Sequence, residues 1–279
     1  MTGIIRPAKR VARRAADAAV RHTQDAVDLL RRGERTVLRT PHAGMRLGNL
    51  LYLWLQAHLR SALGRPVRVL ESRGMGEWWD AFPRLRELSV TADELRFSDR
   101  REWEPEWLYQ RYGVDFTREQ LHAFIDDALA PLLVPSAIDA RLVINVRRGD
   151  FYGTEFEPKH GFDVIRYVTA AVALFPDATA ALVVSDDAEW CRAHLGGMLT
   201  DRIGDVAYAD PDPLANFLAI AGAEQLIGAN STFSYWGAYV AGRRHPSARI
   251  VMPRFMARMA HGSDAHQLDP RWVALDGFH

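Results

Sequence analysis

The sequence predicts an α/β protein with two Rossmann-like domains that face each other across a cleft. From residue 36 onward, short apolar runs alternate with longer segments of helical period, which is typical of βα units that build a parallel sheet. The alternation stops at the segment 130–141, which contains two prolines, and then starts again. The chain has 279 residues, which is sufficient for two domains. We therefore expect a basic segment over 1–35, a first domain over 36–135 and a second over 136–279.

The composition is that of a folded, charge-balanced chain. Thirty-five Lys and Arg residues are matched by 35 Asp and Glu residues, and 48% of the chain is hydrophobic. A nucleic-acid-binding protein needs a basic surplus to meet phosphate, so the zero net charge argues against that class. Cys191 is the only cysteine, which excludes an internal disulfide and a cysteine-rich zinc site. A single thiol is typical of reducing compartments, and we expect a cytoplasmic location.

The first 35 residues predict an amphipathic helix. Nine of them are Lys or Arg, interleaved with aspartate, alanine and valine. No apolar run there has the length of a signal sequence, and no stretch of the chain reaches the roughly 18 apolar residues of a membrane span. A helix of this composition is usually solvated or packed on protein, which we favour. The alternative is peripheral contact of residues 6–35 with the anionic inner face of a membrane.

The first domain is expected to begin with a strand, a helix and a second strand. The predicted elements are a strand at 36–40, a helix at 46–64, a strand at 66–71, mixed helix and loop at 72–118, and a helix at 121–130. The segment 72–118 is rich in aromatic residues and lacks a clear period. Its tryptophans, Trp78, Trp79, Trp103 and Trp107, are expected to fill the core.

The second domain has the clearer alternation of strands and helices. Strands are predicted at 142–146, 180–185, 205–210, 225–228 and 249–253, and helices at 162–175, around 189–195, at 214–222 and at 232–241. The segment 255–270 is expected to be an exposed loop. No internal repeat is evident.

Two arginines follow the first strand of the second domain, in LVINVRRGD (142–150). The carboxyl ends of parallel strands face the ligand crevice, so Arg147 and Arg148 are placed where an anionic ligand would lie. Side chains alternate along a strand, so Asn145 and Arg147 share one face. One guanidinium can bind a phosphate bidentately while its neighbour locks the turn through Asp150. Taken alone, the motif is more often a solvated turn.

Three other element ends carry polar residues that a nucleotide would meet. Residues 185–187 end a strand in Ser-Asp-Asp, where a hydroxyl and carboxylates can receive the hydroxyls or base of a nucleotide. Residues 230–232 begin an aromatic-rich helix, whose amide and hydroxyl groups can form an anion site. Gly48 and Asn49 open the leading helix of the first domain toward the same cleft. Taken alone, residues 185–187 are also typical of a helix cap, and for residues 230–232 a cap without a ligand would be the better explanation.

In their order along the chain, these motifs resemble those of glycosyltransferase family 11, the alpha-1,2-fucosyltransferases. The matching segments are RLGNL (46–50), NVRRGDF (145–151), SDDAEWC (185–191), DPLANFLAIAGAEQLIGANSTFSYWGAY (212–239) and IVMPRF (250–255). The resemblance implies a GT-B architecture, a GDP-fucose donor held mainly by the second domain, an inverting transfer to a sugar hydroxyl, and no metal or other cofactor. The expected partners are therefore a nucleotide sugar and a carbohydrate acceptor.

The resemblance also implies roles for individual residues. Arg147 matches the arginine that holds the donor's β-phosphate as it leaves. Asp150 is a candidate acceptor base because of its position at the end of the turn rather than because of the resemblance, and we favour the alternative in which it only shapes the turn. The expected donor-binding residues are Gly48, Asn49, Asn145, Arg147, Arg148, Ser185, Asp186, Asp187, Asn230, Ser231, Thr232 and Ser234. Asn145 stands where the family usually has histidine, and Met45 and Arg46 replace a double glycine. These departures affect the prediction of which sugar and which nucleotide base are bound more than the prediction of the reaction type.

Two alternatives to this fucosyltransferase function stay open. One is a catalytically inactive module of the same fold that binds nucleotide or glycan, and the other is a related transferase that uses another nucleotide sugar. On the acceptor side, the tryptophans of the first domain could stack on a sugar, and His261 and Asp264 could border the acceptor.

Two further features are given structural roles. Asp210 and Asp212, separated by a proline, resemble a metal-binding DxD motif, but we favour a turn and helix cap. Cys191 is expected to pack in the core rather than act as a nucleophile.

Overall fold

A computed structural model describes residues 30–40, 45–103, 110–133, 141–260 and 262–279. Most of the predicted amphipathic segment, the residues before 30, lies outside the described residues, as do Trp107 and His261. The described chain forms two parallel sheets with helices packed on them. We call residues 30–133 the first half and residues 141–279 the second half.

The first half contains a four-stranded parallel sheet in the order β3-β2-β1-β4. Its strands are β1 (Thr36–Leu38), β2 (Val67–Leu70), β3 (Ser89–Val90) and β4 (Arg100–Glu102). Its helices are α1 (Leu47–Ala62), α2 (Gly76–Trp79), α3 (Pro83–Glu87) and α4 (Arg118–Ala128), followed by a 3₁₀ turn at Ala130–Leu133. Helix α4 starts with a capping box between Thr117 and Gln120, which satisfies two backbone N–H groups.

The second half contains a six-stranded parallel sheet in the order β12-β9-β8-β5-β6-β7. Its strands are β5 (Leu142–Val146), β6 (Ala180–Ser185), β7 (Asp205–Tyr208), β8 (Gln225–Ile227), β9 (Arg249–Pro253) and β12 (Val273–Leu275). An antiparallel hairpin of β10 (Phe255–Met259) and β11 (Gly262–Asp264) stands apart from this sheet. All five residues of β5 are buried, as expected for a central parallel strand covered on both faces.

Five helices accompany the sheet of the second half. They are α5 (Glu157–His160), α6 (Val164–Val172), α7 (Ala188–Ile203), α8 (Pro213–Ala221) and α9 (Thr232–Arg244), with a 3₁₀ turn at Gly149–Phe151. Strands β5, β6 and β7 run outward in one direction, whereas β8 and β9 lie on the other side of β5. The strand order therefore reverses between β5 and β8, which is where open α/β sheets bind their ligands.

The two halves share one buried core at the contact of α1 with α9. Tyr52 of α1 lies against Trp236 of α9 with ring centroids 5.1 Å apart, and its hydroxyl is 3.4 Å from that of Tyr239. All three side chains are at most 3% exposed. The apolar cluster around them contains Leu38 and Val69 of the first sheet and Leu226 of the second. The halves are thus joined by packed side chains as well as by the connecting chain.

Most of the predicted elements are present, and the differences have local causes. The segment 72–118 contains β3 and β4, which are too short, at two and three residues, to show a period. Helix α7 extends past the predicted 189–195 because Leu199 and Ile203 are buried beyond its glycine pair. The strand β12 was not predicted.

The expectation of an exposed loop at 255–270 is wrong. Its first residues form β10 of the hairpin, with Phe255 and Met256 only 3% and 6% exposed. The Met256 carbonyl accepts from Asn230 Nδ2 at 3.2 Å, and Arg258 donates to the Gly161 carbonyl at 2.8 Å. Long-range packing therefore orders a polar stretch whose local sequence resembles a loop.

Candidate active site

A cavity of about 1020 Å³ lies between the two halves. The start of α1 and the chain after β2 form one wall, and the ends of β5 and β6 together with the start of α9 form the other. Of the predicted site residues, the lining includes Gly48, Asn49, Asn145, Arg147, Asp150, Ser185, Asp186, Ser231 and Thr232. The carboxyl end of β5 is at the point where the strand order reverses. The cavity therefore occupies the position expected for a ligand in this type of sheet.

Arg147 lies at the end of β5 and is held by two carboxylates. One amino group donates to Asp186 and the other to Asp150. Its guanidinium carbon lies 5.1 Å from the ring centroid of Phe151, and the side chain is 17% exposed. Arg147 is thus a half-enclosed cation with a fixed orientation in the cavity wall.

Asp186 connects the ends of two neighbouring strands. Besides the Arg147 guanidinium, its carboxylate accepts the backbone N–H of Arg148 at 2.8 Å. The approach is close enough that a Cβ atom at position 149 would displace the Asp186 carboxylate from its present position. Since β5 and β6 pair in parallel register, this contact fixes the turn after β5 against the end of β6.

Arg148 does not line the cavity. Its guanidinium carbon lies 3.8 Å from the Trp190 ring centroid and 4.2 Å from that of Tyr152, and its Nε is 3.5 Å from Asp187. Asp187 in turn caps α7 by accepting the backbone N–H of Trp190 at 3.1 Å. The two arginines therefore differ in role, because Arg147 faces the cavity and Arg148 fastens the turn to α7.

Asn145 lines the cavity, and its amide oxygen is buried. Its Nδ2 donates to the Val184 carbonyl at 3.0 Å, while its Oδ1 has no hydrogen-bond partner among the described residues. An unsatisfied buried amide oxygen is costly, so this side chain would gain a hydrogen bond if it turned its oxygen toward a ligand N–H or O–H group in the cavity. Ser185, at the end of β6, accepts the backbone N–H of Asp187 at 3.0 Å and shapes the adjoining turn.

The starts of α1 and α9 meet at the cavity. Ser231 caps α9 by accepting the Ser234 N–H at 3.3 Å, and the Thr232 hydroxyl donates to Asn49 Oδ1 at 2.9 Å. A Cβ atom at Gly48 would collide with the backbone of Thr232, so the two helix ends approach as closely as glycine allows. The residues predicted from two distant motifs therefore form one contact across the halves.

Asn230 and Ser234 are fully buried and lie behind the cavity wall. Asn230 Nδ2 donates to the carbonyls of His160 and Met256 at 3.0 and 3.2 Å. Ser234 Oγ accepts the Ala229 N–H at 2.9 Å. Both side chains are used to hold the loop before α9, and neither is part of the cavity lining.

Several cavity residues were not predicted from the sequence. They include Arg73 after β2, Phe156 with 47% exposure, and Lys159 and His160 of the short helix α5. His160 stacks on Phe151 with ring centroids 4.3 Å apart, and burial lowers the pKa of its imidazole. None of these residues lies in a motif that specifies a chemistry, so only the fold brings them to the site.

Asp212 and Cys191 have the structural roles predicted for them. Asp212 caps α8 by accepting the N–H groups of Leu214 and Ala215 at 2.8 and 3.0 Å. Cys191 is fully buried, and burial raises the pKa of its thiol, which disfavours the nucleophilic thiolate. Trp78 is 5% exposed whereas Trp103 is 43% exposed, so the core prediction holds for the first and fails for the second. In the described ranges, no three His, Cys, Asp or Glu side chains are grouped closely enough to hold a metal ion.

Comparison with known proteins identifies the family. The sequence model of glycosyl transferase family 11 matches residues 102–275, well over half of the chain. A search of curated proteins finds no match. The matched range contains both arginines, the strand-end carboxylates and the start of α9. The chain therefore belongs to glycosyl transferase family 11 and is a glycosyltransferase. Within the described residues, no helix is both long and apolar enough to cross a membrane.

Proposed function

Because the chain is a family 11 glycosyltransferase, we propose that it transfers L-fucose from GDP-fucose to a sugar hydroxyl with inversion at the anomeric carbon. In this reaction the acceptor oxygen bonds to C1 of fucose while the bond from C1 to the diphosphate oxygen breaks. The electron pair of that bond leaves with GDP, and the acceptor proton passes to a base or to water. The enzyme therefore needs a cation for the leaving diphosphate and a path for one proton.

The placement of Arg147 is the observation that carries the proposal. It is a cavity-facing guanidinium at the reversal of strand order, and the N-terminus of α9 lines the same cavity. A guanidinium keeps its charge and matches two phosphate oxygens, and a helix N-terminus favours an anion. Together with Ser231 and Thr232, Arg147 would hold the diphosphate and stabilise the charge that develops on it.

The polar groups around this cation fit a nucleotide sugar. Asn145 lines the cavity, and its side-chain amide would hydrogen-bond the base or a hydroxyl of the donor. Asp150 lines the cavity and is 44% exposed, so it is the candidate to accept the acceptor proton. The remaining wall, with Arg46, Arg73 and Phe156, would face the acceptor.

We also propose that the two sheets belong to two domains in a GT-B arrangement, divided near residue 135, with the donor held mainly by the second. This is supported by the parallel sheet in each half and by a cavity lined from both. On this proposal no metal takes part, because the Arg147 guanidinium and the backbone N–H groups at the start of α9 would bind the diphosphate directly. Activity should then survive EDTA, and a rate that collapses with chelator and returns with manganese would contradict it.

A donor screen tests the proposed function directly. The purified chain is incubated with GDP-fucose, GDP-mannose, UDP-galactose or a dTDP-sugar and a panel of β-galactosides, and release of the nucleotide is measured. We expect acceptor-dependent release of GDP from GDP-fucose and an α-linked product by NMR. The alternative is a catalytically inactive protein that binds nucleotide or glycan. Asn145, in the position where the family usually has histidine, favours this alternative. The alternative predicts nucleotide binding without acceptor-dependent release of nucleotide.

A further inference from the structure

The two amino groups of Arg147 that a phosphate would use are both bonded to carboxylates. Asp186 accepts from one and Asp150 from the other. A diphosphate that binds the guanidinium bidentately must therefore share or replace at least one of these partners. The structure indicates which of the two carboxylates can leave.

Asp186 is the better anchored carboxylate. Its second oxygen accepts the backbone N–H of Arg148, so moving it would break a contact between the ends of β5 and β6. Gly149 packs directly against the Asp186 carboxylate, and the Asp186 side chain is 27% exposed. Losing these contacts would leave a backbone donor unsatisfied, which opposes its displacement.

Asp150 is held less firmly. It lies in the 3₁₀ turn Gly149–Phe151, its side chain is 44% exposed, and its carboxylate is bonded to Arg147. Rotation of the Asp150 side chain into water breaks only an ion pair that is partly exposed to solvent, and such pairs contribute little to stability. Thr154 donates to the Asp150 carbonyl, so the turn has a backbone contact that does not depend on the carboxylate.

We propose that Asp150 is a built-in competitor of the diphosphate for Arg147. It holds one amino group of Arg147 in the structure described and yields it when a phosphate binds, whereas Asp186 stays in place and keeps the guanidinium oriented. The inference rests on the proposed function, because it concerns how that site takes up its nucleotide. It assigns Asp150 the role of a competing anion in nucleotide binding, which is separable from any role as a base.

The opposite role for Asp150 makes the opposite prediction. If Asp150 mainly orients Arg147 toward the phosphate, removing its charge would weaken nucleotide binding. If it competes, Asp150→Asn removes a rival anion and strengthens binding. The sign of the change in affinity therefore decides between the two, independently of turnover.

Titration calorimetry with GDP measures this sign. We expect Asp150→Asn to bind GDP at least threefold more tightly than the wild type, and Asp186→Asn to bind it more weakly. Glu77→Gln is the matched control, because Glu77 is a carboxylate in the same cavity with no ion pair to Arg147 within the described chain. A comparable gain in the control would mean general charge repulsion and would overturn the proposal, as would equal or weaker binding by Asp150→Asn.

Three further measurements keep this test separate from the donor assignment. Thermal melting of each variant checks that the protein is folded. If Asp150→Asn is unfolded, Asp150→Ser is measured instead. In the Arg147→Ala background, Asp150→Asn should lose its gain in affinity, because no guanidinium remains to compete for.

If GDP does not bind the wild type, the donor assignment fails, and inorganic pyrophosphate is titrated instead. Tighter pyrophosphate binding by Asp150→Asn would then still support competition, whereas no binding of either probe would overturn it.

Discussion

Arg147 is the residue whose substitution should lower the turnover rate most. Arg147→Ala removes the charged, bidentate donor from the leaving diphosphate, and loss of one such group costs about a hundredfold in rate. Arg147→Lys keeps a point charge without the planar fork and should be intermediate. Turnover is measured with the best donor, and Arg166→Ala, an exposed arginine on α6, is the control. Near-normal turnover by a folded Arg147→Ala protein would contradict the assignment.

Substitution of Gly48 should affect stability, whereas substitution of Arg147 should affect turnover. A Cβ atom at position 48 would collide with the backbone of Thr232 and Phe233, so one helix end must shift. Overpacking of this kind costs about 1–3 kcal/mol. We expect Gly48→Ala to lower the free energy of unfolding in urea by that amount. Gly76→Ala is the matched control, because nothing lies within 4 Å of its added Cβ, and an equal loss there would refute the explanation.

At the scale of elements, the hydrogen bond between Thr232 and Asn49 links α9 to α1. The Thr232 hydroxyl donates to Asn49 Oδ1 at 2.9 Å, across 183 residues of sequence. A double-mutant cycle of Thr232→Val and Asn49→Ala should give a coupling of about 1 kcal/mol in the free energy of unfolding. Additive effects of the two substitutions would mean that the contact contributes nothing.

The elements that sequence alone predicted are those with long, regular patterns. Strands β5, β6 and β9 have the predicted bounds because a buried parallel strand is a continuous apolar run. The hairpin at Phe255–Asp264 was missed because its order comes from contacts with Asn230 and the chain before α6, which no local pattern contains.

The site was predictable in outline only. Motifs at strand and helix ends located most of the cavity-lining residues, since parallel topology brings those ends together. Alternation along a strand predicted that Arg147 and Arg148 point to opposite faces. In the structure Arg147 lines the cavity, whereas Arg148 packs on Trp190. The alternation could not show that Asp150 pairs with Arg147 instead of Arg148, because a 3₁₀ turn reorients the side chain. His160 reaches the site on a helix of four residues without any motif.

At the scale of the whole molecule, half-buried histidines should make stability depend on pH. Burial lowers the pKa values of His58, His122 and His160 below the usual 6.5. In the unfolded chain these side chains take up protons near pH 6.5, whereas in the folded chain they stay neutral to lower pH. Unfolding is therefore coupled to proton uptake, and the free energy of unfolding should fall as the pH drops from about 7 to about 5.

Urea denaturation at a series of pH values measures this fall. His160→Gln should make it shallower, and the exposed His194→Gln serves as the control. A free energy of unfolding that stays level or rises as the pH drops through this range would contradict the explanation. Carboxylates with lowered pKa values, such as Asp99 and Asp269, act only at more acidic pH.

The shared core of the two halves predicts how the molecule unfolds. Two domains joined only by a linker would unfold in two steps, but here Tyr52, Trp236 and Tyr239 bury their rings against one another between α1 and α9. Exposing either half would expose this cluster, so we expect a single calorimetric transition whose van't Hoff and calorimetric enthalpies agree. Trp236→Ala should destabilise the whole chain by about 3–5 kcal/mol, because it leaves a cavity between both halves. Two transitions in the wild type, or a Trp236→Ala effect confined to one of them, would mean that the halves are energetically separate and that the cleft can open without unfolding.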